Sequence, residues 1–496
     1  MPNVISHYIN NQLVNPSGKK QLPVYNPATG EITAHVISAT ISEINDAINA
    51  AKQAFLIWSQ VSPLKRARIL FNFKSLLDEN IDKLAALLTA EHGKTLEDAK
   101  GEVLRAIELV EFSCGTPYLL QGNYSENVGT DIDTYTIKQP LGICVGISPF
   151  NFPVMISTWM CIPAIACGNT FILKPSEKDP STTLFLAELL KEAGLPTGVL
   201  NIIHGDKETV DVLIKHPDVF AVSAVASTPV AQHIYQTAIA HGKRAHTFGG
   251  AKNHCVVMPD VDMNETADAL LAASFGAAGE RCMAISVTVA VTDVVADALI
   301  SRLKIKIPEL KIASGMNDNV DMGPLITKEH MARVKNLVGI GVQEGAELIV
   351  DGREIKCAEN NGFFMGGCLF DKVTQHMRIY QEEIFGPVLC IVRVPDLDSA
   401  IALINENQYG NGVSLFTRDG GVAKTFASKV TVGMVGINVP IPVPVSYHTF
   451  GGWKRSIFGD ISMHGAENVH FYTRSKTVTA RWTSKKTISA YHMISH

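Results

Sequence analysis

The sequence predicts an α/β protein that is built on a doubly wound parallel sheet and carries a second α/β unit. Two observations lead to this fold class. Apolar runs typical of fully buried strands alternate with helical segments between Leu141 and Ala226. The chain also has 496 residues, of which 46% are hydrophobic and 18% are charged. Because a chain of this length exceeds a single hydrophobic core, we expect two or three domains.

The alternating region gives the elements of the predicted sheet in order. Each strand is a continuous apolar run, as expected where helices cover both faces of a sheet. One helix begins at the Ser-Thr pair of Ser181 and stops at the stretch E-A-G-L-P. The predicted order is strand 141–147, turn 148–153, helix 154–167, strand 170–174, helix 181–192, strand 198–204, helix 207–216 and strand 219–225.

The loops that follow these strands are candidate binding loops, since doubly wound sheets bind ligands at the carboxyl ends of their strands. The glycine fingerprint G-x-G-x-x-G of ordinary dinucleotide sites does not occur in the sequence. A second α/β block runs from about Asp260 to Gly436. Alternating polar residues at 131–138 and 469–482 predict two strands of a projecting sheet, of the kind that another subunit completes.

Composition and charge exclude several classes of protein. The net charge of −5 does not favour a nucleic-acid or membrane-surface partner. Prolines and glycines interrupt the longest nearly uncharged stretch, 142–173, so we read it as strand, turn and buried helix. The first residues lack signal or transit character. Nine cysteines without a C-x-x-C pair favour reduced thiols in the cytoplasm and no metal site.

Most of these cysteines are expected to be packing residues, because Cys144, Cys161, Cys167, Cys255 and Cys390 lie in apolar runs. Local sequence alone favours the same interpretation for Cys282. Three further stretches change it: S-P-F-N-F-P after a strand, L-K-P-S-E at the end of the next strand, and E-E-I-F-G-P-V about 100 residues past the cysteine. Together with G-E-R-C they resemble the aldehyde dehydrogenase superfamily over essentially the whole chain.

A narrower resemblance is carried by the strings G-G-A-K-N-H, G-E-R-C-M-A-I-S, I-N-V-P-I-P-V-P and F-Y-T-R-S-K-T-V-T. They are similar to the methylmalonate-semialdehyde dehydrogenase branch, whose members acylate coenzyme A. The resemblance implies an NAD-binding domain of residues 1–123 and 141–248 and a catalytic domain of residues 249–439. Residues 440–468 return to the first domain, and 124–140 with 469–496 form an oligomerisation arm. It further implies a homo-oligomer, either a dimer or a homotetramer built as a dimer of dimers, of which the homotetramer is favoured.

The catalytic residues implied by the resemblance are Cys282 and Asn151. A cysteine thiolate attacks the aldehyde carbon, and hydrogen-bond donors must then stabilise the oxyanion. The family pattern gives that role to the Asn151 side chain and to the Cys282 backbone N–H. Without the resemblance, Asn151 would be read as the N-cap of the following helix.

The resemblance also implies a set of NAD-binding residues. Lys174 and Glu177 match the positions that hold the adenosine ribose, and a carboxylate there favours NAD over NADP because it repels a 2′-phosphate. Without the resemblance, K-P-S-E is a strand end and a turn. One departure is Ala226, where the superfamily usually has glycine, and its methyl group puts cofactor affinity in question. The full implied set is Ser148, Phe150, Lys174, Glu177, Lys178, Ser227, Gly249, Glu383 and Phe385.

The deacylating base of hydrolytic aldehyde dehydrogenases is missing from this sequence. Depending on the alignment, its position is Thr247 or Phe248, and no Asp or Glu occurs from Val230 to Met258. Water, with a pKa of about 15.7, needs a base, whereas a thiol with a pKa of about 8.5 is already partly ionised. The resemblance therefore implies coenzyme A as acyl acceptor. Glu280, two residues before the nucleophile, is expected to pair with a basic neighbour instead.

Two arginines complete the implied site. In this branch Arg281, beside the nucleophile, and Arg105, in a predicted helix, bind the substrate carboxylate by bidentate hydrogen bonds. From the residues alone, Arg281 could equally form a surface or inter-domain ion pair. The expected reaction is oxidation of methylmalonate or malonate semialdehyde to propionyl-CoA or acetyl-CoA with loss of CO2. The alternatives are a hydrolytic enzyme for another aldehyde and a non-catalytic NAD-binding structural protein.

Overall fold

Two mainly parallel sheets organise the chain in the computed structural model, which describes residues 2–355 and 361–482. The strands are β1 Asn3–Ile5, β2 His7–Ile9, β3 Gln12–Val14, β4 Gln21–Asn26, β5 Glu31–Ile37, β6 Tyr124–Gly129, β7 Ile132–Pro140, β8 Ile143–Ile147, β9 Thr170–Lys174, β10 Leu200–Ile202, β11 Val219–Val225, β12 Arg244–Phe248, β13 Asn253–Val257, β14 Ile285–Val291, β15 Glu347–Val350, β16 Cys368–Asp371, β17 Val388–Val394, β18 Tyr409–Gly410, β19 Gly412–Phe416, β20 Met434–Ile437, β21 Trp453–Lys454, β22 Ile457–Phe458 and β23 Thr473–Arg481.

The helices surround these sheets, and two short 3-10 turns lie at Gly276–Gly279 and Ile307–Glu309. The α-helices are α1 Ile41–Trp58, α2 Pro63–Glu79, α3 Ile81–His92, α4 Leu96–Cys114, α5 Thr116–Leu119, α6 Pro153–Ala166, α7 Ser181–Glu192, α8 Lys207–Lys215, α9 Thr228–Ala240, α10 Met263–Phe275, α11 Asp293–Lys306, α12 Lys328–Gln343, α13 Arg378–Gln381, α14 Leu397–Glu406, α15 Gly420–Lys429 and α16 Gly465–Phe471.

The first sheet has eight strands in the order β22-β12-β11-β8-β9-β10-β2-β3. Its five central strands, β12 to β10, are parallel. The chain passes from β8 to β9 and β10 on one side and then returns to β11 and β12 on the other. This reversal between β8 and β11 is the topological switch point at which doubly wound sheets bind ligands. The predicted α/β fold and the order of its elements are confirmed.

Apolar residues explain why both faces of this sheet are covered. One core cluster joins α2, α3, α4, α6 and α7, and a second joins α1, α8 and α9 to the opposite face. Every residue of α6 is buried, so the long uncharged stretch of the sequence is a core helix. Among the described residues, no helix is both long and apolar enough to cross a membrane.

The second sheet has seven strands in the order β15-β16-β17-β14-β13-β19-β20, and all but the β15-β16 pair are parallel. Cys282 precedes β14, and Glu383 and Phe385 precede β17, so these residues lie at the amino ends of its strands. After β20 the chain returns to the first sheet, where β22 pairs with β12.

A separate three-stranded sheet has the order β23-β7-β6. The two alternating segments of the sequence pair with each other, from Thr473 opposite Pro140 to Arg481 opposite Ile132. Most of β6 and β23 is exposed to solvent. The two predicted strands are present, although residues 469–471 of the second segment belong to α16 and its strand begins at Thr473. Residues 483–496 of the predicted arm lie outside the described residues.

Candidate active site

A cavity of about 1030 Å³ lies where the carboxyl ends of the first sheet face the second sheet. Its walls come from the loops after each of the five parallel strands, together with Cys282, Glu383 and Phe385. All of the predicted catalytic and cofactor-binding residues line it: Ser148, Phe150, Asn151, Lys174, Glu177, Lys178, Ser227, Gly249, Cys282, Glu383 and Phe385. The structure therefore brings together residues that are up to 237 positions apart in the sequence, Ser148 and Phe385 being the extremes.

The outer end of the cavity is charged. Lys174 Nζ lies 3.0 Å from Glu177 Oε2. Burial raises the pKa of Glu177, but the nearby charge of Lys174, a backbone amide and Lys178 outweigh it and hold this pKa below its ordinary value. Lys178 Nζ lies 4.4 Å above the centre of the Phe150 ring. At this end an ionised carboxylate faces the cavity at neutral pH.

Small residues shape the middle of the cavity. Ser227 precedes α9, and its hydroxyl makes no capping hydrogen bond to that helix, so the hydroxyl is available to a ligand. Gly249 follows β12, and a Cβ there would lie 2.7 Å from the Arg455 carbonyl oxygen. Ala226, which stands where the resemblance implies glycine, also lines the cavity.

The inner end holds the nucleophile candidate. Cys282 is half-buried and lines both the large cavity and a small adjoining one. Its backbone carbonyl accepts hydrogen bonds from the side chains of Asn253 (2.8 Å) and Asn411 (3.1 Å). Burial, with a further contribution from the charge of Glu383, raises the pKa of the Cys282 thiol to about 12. The other seven described cysteines are buried, as expected for packing residues.

Asn151 is placed by a buried ion pair that the sequence did not reveal. Lys94 Nζ donates to the Asn151 carbonyl oxygen (2.7 Å) and to Glu102 Oε2 (2.6 Å). Glu102 Oε1 in turn accepts from the backbone N–H groups of Val154 (2.8 Å) and Met155 (3.1 Å). The N-cap alternative for Asn151 is wrong, because Phe152 is the N-cap residue and Glu102 binds the free N–H groups of the helix.

An aromatic cluster lies beside the nucleophile. The Phe150 ring centre lies 5.7 Å from that of Phe385 and 5.9 Å from that of His92. Phe385 has a φ of 59°, and its carbonyl oxygen lies 2.6 Å from His330 Nε2, so this nitrogen carries the hydrogen. This contact supports a backbone conformation that phenylalanine rarely adopts.

Burial raises the pKa values of two inner carboxyl groups into the neutral range. Glu383 Oε1 accepts from the Ala251 N–H (2.9 Å), and burial raises the pKa of this residue to about 7. Glu280 is fully buried, its Oε1 accepts from the Ile326 N–H (3.2 Å), and burial raises its pKa to about 8. Both acids therefore change charge near neutral pH.

The expectation that Glu280 pairs with a basic neighbour is wrong. Its nearest basic groups are the rings of His330 (3.5 Å) and His92 (4.0 Å). Burial lowers the pKa of His330 to about 4 and that of His92 well below its ordinary value, so both rings are neutral at pH 7. The adjacent Arg281 binds Asp98 instead.

The two predicted substrate arginines do not line the large cavity, and both have protein partners. Arg281 lines the small cavity next to Cys282 and pairs with Asp98 of α4. Arg105 Nη1 lies 2.7 Å from Glu108, and its Nη2 donates to the Val443 carbonyl oxygen (3.1 Å). The ion-pair alternative for Arg281 is thus what the structure shows.

No base occupies the position of the missing glutamate. The Thr247 hydroxyl donates to the Ala231 carbonyl oxygen (2.8 Å), and Phe248 is buried in the hydrophobic core. Neither side chain can accept a proton from water. Within the described part of the chain, no group of three or more His, Cys, Asp or Glu side chains is arranged to hold a metal ion.

Comparison with known proteins agrees with this geometry. The model of the aldehyde dehydrogenase family matches residues 13–478. The chain is 54% identical, over 97% of each sequence, to malonate-semialdehyde dehydrogenase of Pseudomonas aeruginosa. It superposes with a TM-score of 0.97, at 49% identity over 98% of this chain and 99% of the other, on a Sinorhizobium meliloti 1021 protein assigned as a methylmalonate-semialdehyde dehydrogenase and complexed with NAD.

A second solved structure, methylmalonate-semialdehyde dehydrogenase from Oceanimonas doudoroffii, gives a TM-score of 0.96 at 52% identity, over 98% of this chain and 99% of the other. The match therefore extends over sequence, fold and nearly the full length of each protein. The chain belongs to the aldehyde dehydrogenase family, whose members are oxidoreductases acting on aldehydes.

Proposed function

We propose that the protein oxidises methylmalonate semialdehyde and malonate semialdehyde with NAD and coenzyme A, giving propionyl-CoA and acetyl-CoA with loss of CO2. The observation that carries this proposal is the inner end of the cavity, where a cysteine is present and the hydrolytic base is absent. The relatives named for these two semialdehydes support the substrate class.

The cavity suits NAD. One continuous space joins the charged outer end at Lys174 and Glu177 to Cys282 and Phe385, as a dinucleotide with two ends requires. The Glu177 carboxylate would accept hydrogen bonds from ribose hydroxyl groups and repel a 2′-phosphate. Ser227 would bind the pyrophosphate, and Glu383 the second ribose. Ser148, Phe150, Lys178, Gly249 and Phe385 complete the proposed cofactor wall.

In the proposed mechanism the Cys282 thiol, whose pKa burial raises to about 12, loses its proton to solvent, and the resulting thiolate attacks the aldehyde carbon. The Asn151 side-chain amide and the Cys282 N–H donate hydrogen bonds to the oxyanion that forms. When bound, NAD supplies the hydride acceptor that allows the thiohemiacetal on Cys282 to become a thioester. Because Thr247 and Phe248 cannot activate water, the thioester persists until the thiolate of coenzyme A attacks its carbonyl carbon and releases the Cys282 thiolate. The substrate carboxylate leaves as CO2 from the acyl group. The electron pair of the broken C–C bond passes to the α-carbon through the thioester enolate, and this carbon takes a proton from solvent, so the acyl product is propionyl or acetyl.

Substrate selection is assigned to Arg105 and Arg281, which would bind the carboxylate of the semialdehyde. Both now bind protein carboxylates, Glu108 and Asp98. In this proposal a substrate carboxylate shares the guanidinium groups with these partners, and each guanidinium has further N–H donors for that purpose.

We further propose the domain roles and the oligomer. The first sheet with residues 1–123 and 141–248 would bind NAD, residues 249–439 would form the catalytic domain, and residues 440–468 would complete the first. The three-stranded sheet has exposed edge strands, which favours pairing with another copy. We therefore propose a homotetramer, assembled through this arm as a dimer of dimers. The eight described cysteines are free thiols, which supports a cytoplasmic location.

The proposal is tested by the products of the reaction. The purified enzyme is incubated with each semialdehyde, NAD and coenzyme A, and the acyl products are identified by mass spectrometry. We expect propionyl-CoA from methylmalonate semialdehyde and acetyl-CoA from malonate semialdehyde, one CO2 per NADH, and no NADH with Cys282→Ala. Free acids as the main products with coenzyme A present would refute the proposed acceptor.

A further inference from the structure

The turn that leads to Cys282 has an unusual backbone. Ala277, Ala278 and Gly279 follow one another with φ values of 49°, 52° and 72°. This left-handed region suits glycine, whereas residues with a Cβ enter it at a cost in free energy. Two neighbouring alanines in this conformation persist only where surrounding contacts hold them.

One carboxylate contacts this turn at two places. The Ala277 N–H donates to Asp98 Oδ2 over 3.1 Å, and the Arg281 guanidinium donates to Asp98 Oδ1 through Nη2. Arg281 folds back over Gly276, where an added Cβ would lie 2.5–2.6 Å from the guanidinium atoms. Asp98 thus joins the start of the left-handed turn to the residue before Cys282.

Asp98 is itself well supported. It lies in the first turn of α4, where its N–H donates to the Thr95 hydroxyl over 3.2 Å. A carboxylate at this position is also stabilised by the positive end of the helix dipole. On the other side of the turn, Gly279 lies against the Gly386 carbonyl oxygen, which an added Cβ would approach to 2.3 Å.

The peptide between Arg281 and Cys282 is consequently held on both sides. On the N-terminal side of this peptide, Asp98 binds Ala277 and Arg281. On its C-terminal side, Asn253 and Asn411 donate to the Cys282 carbonyl oxygen. This peptide carries the N–H that the proposed function assigns to the oxyanion. We infer that Asp98 is a positioning residue for the nucleophile, which aims the Cys282 thiol and N–H at the aldehyde by holding Ala277 and Arg281. The inference rests on the proposed function, since it takes Cys282 as the attacking group.

The test compares Asp98→Ala and Asp98→Asn with Glu97→Ala, which removes an exposed carboxylate from the same helical turn. The rate of the first NADH turnover is measured without coenzyme A, on propionaldehyde and on methylmalonate semialdehyde, together with NAD affinity. We expect Asp98→Ala to slow this rate by about 10- to 100-fold on both aldehydes, the range produced by small misplacements of reacting groups. Asp98→Asn keeps a hydrogen-bond acceptor for the Ala277 N–H, so its rate should lie between that of Asp98→Ala and that of the parent. Glu97→Ala should match the parent, and NAD affinity should stay within about twofold throughout.

A second variant separates positioning from general loss of structure. Ala278→Gly in the Asp98→Ala background should recover part of the rate, because glycine enters the left-handed region without a Cβ penalty. If Asp98→Ala does not fold, Asp98→Asn with and without Ala278→Gly carries the same comparison. A parent-like rate on propionaldehyde would overturn the inference, and so would a loss confined to the carboxylated aldehyde. Because the assay contains no coenzyme A, its result is independent of whether the acyl acceptor is a thiol.

Discussion

The two ends of the cavity shift the pKa values of their carboxyl groups in opposite directions. At the outer end, Lys174 and Lys178 outweigh burial and hold the pKa of Glu177 below its ordinary value. At the inner end, burial raises the pKa of Glu383 to about 7. It also raises the pKa of Glu280, which is fully buried behind the cavity wall, to about 8. The outer end is therefore a charged surface suited to binding hydroxyl groups. The inner end is a desolvated space whose protonation changes near neutral pH.

The lysine–carboxylate pairs of the two ends differ in the same way. The side chains of Lys94 and Glu102, which support Asn151 from behind the cavity wall, are at most 1% exposed. At the outer end, the Lys174 side chain is 7% exposed and the Glu177 side chain is 34% exposed. A buried pair is costly to break, because the remaining charge has no solvent to stabilise it. A pair with one partly exposed partner is screened by solvent and contributes less to stability. The comparison predicts that stability depends on the inner pair and ligand affinity on the outer pair.

The largest expected effect comes from breaking the inner pair. Lys94→Met leaves Glu102 buried without its cation and should destabilise the protein by about 3–5 kcal/mol. Lys174→Met, the matched change at the outer end, leaves the Glu177 carboxylate partly in contact with solvent, so it should cost clearly less stability than Lys94→Met but should weaken NAD binding. Thermal unfolding and NAD titration of both variants check this. Similar losses of stability in the two variants would contradict the distinction between the ends.

Glu280→Gln should change how stability depends on pH. The Glu280 pKa is about 8 in the folded protein and near 4.5, its ordinary value, in the unfolded chain. The folded state therefore holds the extra proton between these values, and the Glu280 contribution to stability falls as pH rises. Glutamine cannot ionise. The free energy of unfolding of the variant should therefore rise relative to that of the parent by up to about 1.4 kcal/mol for each pH unit in this window. Unfolding curves at pH 5 to 8 that run parallel for both proteins would show that Glu280 does not titrate there.

A variant of Arg105 tests recognition of the substrate carboxylate separately from oxidation of the aldehyde. Loss of one charge-assisted hydrogen bond of about 1.5–3 kcal/mol should lower kcat/KM for methylmalonate semialdehyde by roughly 10- to 200-fold in Arg105→Leu. Activity on propionaldehyde, which has no carboxylate, should be largely kept. Steady-state kinetics on both aldehydes decide between the roles. Equal losses would assign Arg105 to the fold through Glu108 and Val443, and no loss would leave it as a surface ion pair.

The smallest effect is expected at the outer carboxylate. Glu177→Gln keeps a hydrogen-bond acceptor but loses its charge, so NAD affinity should fall by about tenfold. Discrimination against NADP should also weaken, because the charge that repels a 2′-phosphate is gone. Fluorescence titration with both dinucleotides measures this, and stability serves as the control. Unchanged affinity for both dinucleotides would remove Glu177 from the proposed ribose site.

Local pattern predicted much of this fold. The strands Thr170–Lys174 and Val219–Val225 and the helix Ser181–Glu192 have the predicted bounds, because continuous apolar runs and helix stop signals are local features. The loops after these strands carry the proposed cofactor residues, since parallel strands bring their carboxyl ends to one edge. Alternation predicted that the segments of β7 and β23 are strands, while their nine-residue pairing with each other was found only in the structure.

Long-range polar contacts were not predictable in the same way. Lys94 meets Asn151 across 57 residues, and Asp98 meets Arg281 across 183 residues. Neither partner is marked by its local sequence. The expectation for Glu280 was wrong for the same reason. The neighbouring Arg281 forms its ion pair with the distant Asp98, and the buried Glu280 lies beside a neutral histidine instead. Cys282 was recognised through a family resemblance, since its local sequence favoured a packing thiol.

The central claim is that the acyl group waits on Cys282 until a thiol arrives, because no base activates water at Thr247 or Phe248. The direct test is rapid mixing of enzyme, NAD and methylmalonate semialdehyde, with NADH followed in time and coenzyme A added afterwards. We expect a burst of about one NADH per active site, then a slow phase, and steady turnover only once coenzyme A is present. Steady turnover from the start in buffer without coenzyme A, with free acid as product, would contradict this account.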